Sequence, residues 1–120
     1  MNLASIINEI RQHPEFERVG MILSHQGVVR GVSRGGRPVS GITLKVDRDR
    51  LRDIVNAEKK SPGIIELVVK ITDQTQLAVG DDIMLIVVAG DIRETVISVL
   101  SDTLNAVKST VTRKTEFYTD

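Results

Sequence analysis

Cysteine is absent from this 120-residue chain. That excludes disulfides, thiolate zinc sites and a cysteine nucleophile, and it fits a reducing compartment. Aromatic side chains are nearly absent as well: Phe16, Phe117 and Tyr118 make up 2% of the residues. The core must therefore be aliphatic, and there is no aromatic platform on which nucleic-acid bases could stack. No charge of either sign is in excess, because Lys plus Arg is 16 and Asp plus Glu is 16. A broad electrostatic binder of nucleic acid carries a basic surplus, so no nucleic-acid partner is expected. The longest unbroken apolar run, Ile83 to Ala89, is far too short to span a bilayer. The opening residues, Met1-Asn2-Leu3-Ala4-Ser5, lack the basic and apolar regions of a signal peptide. No membrane partner is expected, and the expected location is the cytoplasm. Two isolated histidines, His13 and His25, are too few for a histidine-based metal site. Neither a metal nor a cofactor is expected.

What is present is enough for one domain over residues 1–120. Apolar residues make up 41% of the chain, which supports a core and argues against disorder. Asn2 or Ser5 can cap a short helix carrying Ile6, Ile7 and Ile10, stopped by Pro14. Residues 18–29 read as a strand in which Gly27 signals a bulge or a close backbone approach. A polar glycine-rich loop, Arg-Gly-Val-Ser-Arg-Gly-Gly-Arg over residues 30–37, leads into a strand over 38–46. Asp47 is placed to cap a helix over 48–60, which Ser61-Pro62-Gly63 ends. Residues 64–72 alternate, with Ile65, Leu67, Val69 and Ile71 on one face. Gly80-Asp81-Asp82 reads as a turn, and Ile83 to Ala89 as a central strand covered on both faces. Asp91 can cap a last helix whose stripe is Ile92, Val96, Val99, Leu100, Leu104, Val107 and Val111. The tail from Thr112 is either a last strand or a frayed end. The pattern predicts an α+β fold, a two-layer sandwich with a mainly antiparallel sheet.

Two places can carry chemistry. The first is the loop, where Arg30, Arg34 and Arg37 are interleaved with Gly31, Gly35 and Gly36. Glycine lets backbone N–H groups approach an anion, and the arginine fork binds phosphate or carboxylate. The same composition suits a solvated hairpin loop, and composition alone favours that reading. It is not a P-loop, because the Gly-Lys-Ser/Thr ending is missing. The second is Lys108, at the edge of the apolar stripe of the last helix. It is either a surface residue with a buried stem or a desolvated amine able to act on a carbonyl. On a continuous helix Arg93 lies about 22 Å from Lys108, so the two cannot share one small site within a chain. His25 reads as a hydrogen-bonded structural residue, and no Ser-His-Asp triad is recognisable.

The segment Val19-Gly20-Met21-Ile22-Leu23-Ser24-His25-Gln26-Gly27-Val28-Val29-Arg30-Gly31 runs into Arg34-Gly35-Gly36-Arg37-Pro38-Val39-Ser40-Gly41-Ile42. It resembles the large, catalytic subunit of molybdopterin synthase, the MoaE family. There a strand ending in Gly-x-Val-Arg leads through a glycine-rich loop to a Pro/Ser-Val-x-Gly-Leu strand. Leu77-Ala78-Val79-Gly80-Asp81-Asp82 is similar to the family's Leu-x-Val-Gly-Glu turn. The likeness runs from about residue 19 to about residue 116. It implies the α/β-hammerhead fold, a homodimer, and a small ubiquitin-like sulfur-carrier subunit as partner. The implied activity is sulfur transfer from the carrier's C-terminal thiocarboxylate to a cyclic pyranopterin phosphate. On this resemblance Arg30 matches an arginine of the anionic substrate pocket, Arg93 the arginine that opens the last helix, and Lys108 the catalytic lysine; the sulfur-transferase reading places Arg34 and Arg37 of the loop, with Arg30 and Arg93, on the phosphate.

The chain also departs from the family pattern. The family's last helix opens with His-Arg, where this chain has Ile92-Arg93. A second lysine, in a Pro-x-Trp-Lys stretch, falls at Thr115, with Lys114 one residue early. Lys114 can replace it through a register shift. The strand Leu-Glu-Tyr-Glu-Ala-Tyr becomes Ile42-Thr43-Leu44-Lys45-Val46-Asp47, and a His-Arg pair becomes Thr72-Asp73. These losses leave a second reading open: a non-catalytic relative that binds a carrier protein or a small anion as a dimer. A third is an unrelated α+β binding module.

Overall fold

The computed structural model describes residues 1–119. Helix α1, Leu3–Arg11, begins at Asn2, whose side chain accepts from the Ser5 N–H at 3.1 Å. It is followed by strand β1, Met21–Val28, and strand β2, Val39–Val46. Helix α2, Arg48–Glu58, is capped as expected by Asp47, which accepts from the Arg50 N–H at 3.0 Å. Strands β3, Ile64–Ile71, β4, Gln76–Ala78, and β5, Asp82–Gly90, come next. Helix α3, Arg93–Thr110, and strand β6, Thr112–Tyr118, complete the order, so the tail is a strand.

The α+β expectation holds, and every named strand pairing is antiparallel. The strands divide into two three-stranded sheets, ordered β1-β5-β3 and β4-β2-β6. Strand β5 is central because it is apolar on both faces. Met84, Ile86 and Val88 point into the main core with residues of α2, α3 and β2. Leu85, Val87 and Ala89 alternate to the opposite face, which Ile6 and Ile10 of α1 cover. The β1-β5-β3 sheet is thus packed on both sides.

Local irregularities adjust the expected faces. A register shift between Ile64 and Glu66 puts Ile64, rather than Ile65, into the main core beside Leu67, Val69 and Ile71. At the start of α3 the capping residue is Ile92, not Asp91. The Asp91 carboxylate accepts from the adjacent Ile92 N–H at 2.7 Å, one position too early to cap the helix. Ile92 is exposed and does not belong to the stripe, whereas Thr103 is fully buried in it. Among the described residues no helix is long and apolar enough to cross a membrane.

Candidate functional site

The end of β1 opens a pocket. Met21 and Leu23 pack against the main core, and strand alternation puts His25 and Gly27 next on the same face. A bulge between Gly27 and Val28 then shifts the register against β5. Val29 is buried as a result, and Arg30 emerges exposed just beyond it. Gly27 is closely packed here: a β-carbon would lie 3.6 Å from His25 Nε2 and a tight 3.2 Å from Met84 Cγ.

The glycine-arginine loop is held closed rather than left free. Buried Ser33 donates its N–H to the Arg37 carbonyl at 2.8 Å, and its hydroxyl accepts from the Arg37 N–H at 3.1 Å. Gly36 closes the turn with φ +90°, a conformation that favours glycine. Arg34, within the closed turn, lines the pocket. Arg37 goes elsewhere and stacks on the Tyr118 ring.

Lys108 comes from the last turn of α3, where a cation suits the negative end of the helix dipole. Buried Val111 ends the helix, and β6 begins at once. In β6, Lys114 stands opposite Leu44 and Glu116 opposite Ile42. The period of two puts Lys114 and Glu116 on one face and Thr115 on the other.

Arg30, Arg34, Lys108 and Lys114 therefore line one pocket of about 450 Å³, together with His25 and Glu116. Four cations face a single carboxylate there. Among the described residues none of the four has an ion-pair partner. Such a cavity suits a compact multivalent anion.

His25 does not fit the hydrogen-bonded structural role that the sequence suggested. Its Nε2 is buried and has no hydrogen-bond partner among the described residues. Burial, with the Lys108 charge second, holds the imidazole below its ordinary ionisation range. His25 and Glu116 are the lining groups that sequence reasoning did not single out. The signal for His25 is its i, i+2 relation to Gly27 on the strand that ends at Val28, two residues before Arg30.

Two expected residues stand outside the pocket. Arg93 opens α3 at the far end from Lys108 and pairs with Glu94 at 3.2 Å. Arg37 is held on Tyr118. A larger cavity of about 620 Å³ lies between α1 and the β3–β4 turn, but Glu9, Asp73, Asp81 and Asp82 line it, which suits an anion poorly. No group of three or more His, Asp or Glu side chains among the described residues is arranged to hold a metal ion.

Fold and pocket together define an α+β domain with a small cationic cavity at the junction of its two sheets. The chain belongs to the MoaE protein family, whose model matches residues 1–110. Solved structures share the fold. The molybdopterin cofactor biosynthesis protein E of Burkholderia multivorans is 18% identical, with a TM-score of 0.76, over 100% of this chain and 84% of that one. Molybdopterin synthase from Staphylococcus aureus is 20% identical, with a TM-score of 0.72, over 91% of this chain and 86% of that one. A complex of subunits 1 and 2 of the molybdopterin-converting factor from Helicobacter pylori is 13% identical, with a TM-score of 0.72, over 98% and 80%. Comparison of the sequence with curated proteins returns no match.

Proposed function

We propose that this chain acts in molybdenum cofactor biosynthesis as the large subunit of a molybdopterin synthase. In this reading it moves sulfur from the thiocarboxylate tail of a small ubiquitin-like carrier to a cyclic pyranopterin phosphate. Family membership supports the pathway. The observation that carries the assignment of residues is the convergence of Arg30, Arg34, Lys108 and Lys114, from three separate segments, on one pocket where none of the four has an ion-pair partner among the described residues.

Each group has a role its chemistry suits. The guanidinium forks of Arg30 and Arg34 hold the substrate phosphate by paired charge-assisted hydrogen bonds. The Lys108 and Lys114 ammonium groups attract the carrier's anionic tail, and Lys108 polarises its carbonyl. Lys114 takes the part of the family's second lysine, since Thr115 lies on the opposite face of β6. Arg93 reaches a substrate only in a pocket shared across a homodimer, because α3 carries it about 22 Å from Lys108.

The test is to mix the purified chain with thiocarboxylated carrier and pyranopterin precursor. Dithiolene product above a no-enzyme control is the expected result, and its absence would refute the transferase reading. Thr115, in the second lysine's place, favours one other reading, a non-catalytic relative. That reading is supported if the carrier or a phosphate ligand binds without turnover.

A further inference from the structure

Among the groups lining the cationic pocket, His25 is the one whose ordinary ionisation falls between pH 5 and 8. The charged groups around it are Lys108 from α3, Arg30 and Arg34 from the β1–β2 loop, and Lys114 and Glu116 from β6. Strand β5 brings Ile83 and Met84, which carry no charge. Burial of Nε2, which has no partner among the described residues, disfavours a positive charge on the imidazole, and the Lys108 charge adds to the effect. A buried polar atom without a partner is costly. Here it lines the cationic pocket, 3.6 Å from where a β-carbon at Gly27 would stand.

We propose that His25 is a ligand-sensing acid–base residue of this pocket: a neutral imidazole in the empty site that takes up a proton when an anion binds among Arg30, Arg34 and Lys108. This inference rests on the reading of the pocket as an anion site. Burial and, second to it, the Lys108 charge keep the imidazole unprotonated; the anion offsets the charge, and a proton from solvent then completes the charge match. Linkage makes the effect reciprocal, so the anion binds more tightly in acid.

Sulfate is the probe, since its charge is constant between pH 5 and 8. Calorimetric titration of the intact chain is expected to show sulfate binding roughly fivefold or more tighter at pH 5.5 than at pH 8. That difference should vanish in His25→Gln, with binding at pH 8 retained. Proton NMR of the unmodified chain is the second measurement. The His25 ring signal should titrate at higher pH with sulfate than without it, and also at higher pH in Lys108→Met.

Sulfate binding with the same pH dependence in His25→Gln, or a ring signal indifferent to sulfate, overturns the role of His25 and leaves the anion site standing. No sulfate binding at any pH overturns both. A His25-dependent slope without sulfur transfer supports the inference and removes only the transferase reading.

Discussion

The Arg37 guanidinium carbon lies 3.8 Å from the centroid of the Tyr118 ring. The Tyr118 hydroxyl in turn donates to Glu116 Oε1 at 3.3 Å. Arg37 therefore stays out of the cationic pocket and braces the residue that supports its one carboxylate. The stack is solvent-accessible, so a double-mutant cycle of Arg37→Ala and Tyr118→Leu should give a coupling of about 0.5 kcal/mol. Urea unfolding measures it, and a coupling indistinguishable from zero would show that the stack contributes nothing.

The alternation of β6 separates Lys114 from Thr115. Lys114→Ala should lower sulfur-transfer turnover by about tenfold or more, while Thr115→Ala should leave it within about twofold. Lys108→Ala should abolish product. Single-turnover kinetics distinguish these outcomes. Loss of activity in Thr115→Ala but not in Lys114→Ala would mean that the register inferred for the second lysine is wrong.

Arg30 and Arg34 meet the ligand as charged donors. Removing one fork should weaken phosphate-ligand binding by roughly 10- to 100-fold, the equivalent of a charge-assisted hydrogen bond. Arg93→Ala in a monomeric preparation should leave that affinity unchanged. Fluorescence anisotropy or calorimetry with a phosphate ester provides the readout.

Thr103 is fully buried on α3, and its hydroxyl has no partner among the described residues. Thr103→Val keeps the shape and removes the orphaned hydroxyl. The substitution should stabilise the fold by about 1 kcal/mol, visible as a higher denaturation midpoint with an unchanged slope. A destabilised variant would mean that a buried water serves the hydroxyl.

Burial, with the Asp102 charge second, raises the ionisation of Glu58 above its ordinary value of 4.5. The folded chain thus holds this proton more tightly than the unfolded one. The stabilising share of Glu58 is fully present below pH 4.5 and is lost as pH rises through the elevated folded value. Glu58→Gln should therefore stabilise the protein at pH 7, with the gain fading toward pH 4. Thermal melts across that range test the sign. A gain that grows on acidification would contradict it.

Much of the architecture was legible in local pattern. Asp47 is a cap whose side chain reaches a backbone N–H three residues on, so sequence spacing alone specifies it; at the first helix spacing left Asn2 and Ser5 open, and the structure selects Asn2. The two-sided apolar run in β5 announces a central strand because only a strand covered on both faces avoids exposing half of it. Ile92 rather than Asp91 caps α3 because the cap falls where the chain leaves β5, and tertiary packing determines that point. The division into two sheets was not legible, since strand pairing is long-range. Nor was the fate of the loop arginines, because residue type does not say which of three guanidinium groups a closed turn will aim inward.

The sequence by itself determined an aliphatic, antiparallel α+β chain, its family motifs, and a cluster of candidate cations. Those properties reside in composition, periodicity and short spacings. Only the tertiary structure decided which cations meet. The bulge after Gly27, the Ser33 tie across the loop and the α3–β6 junction bring Arg30, Arg34, Lys108 and Lys114 to one cavity. The length of α3 and the Tyr118 ring hold Arg93 and Arg37 apart from it. His25 enters the site by the same route: its neighbours in space come from α3 and β6, more than 80 residues further along the chain.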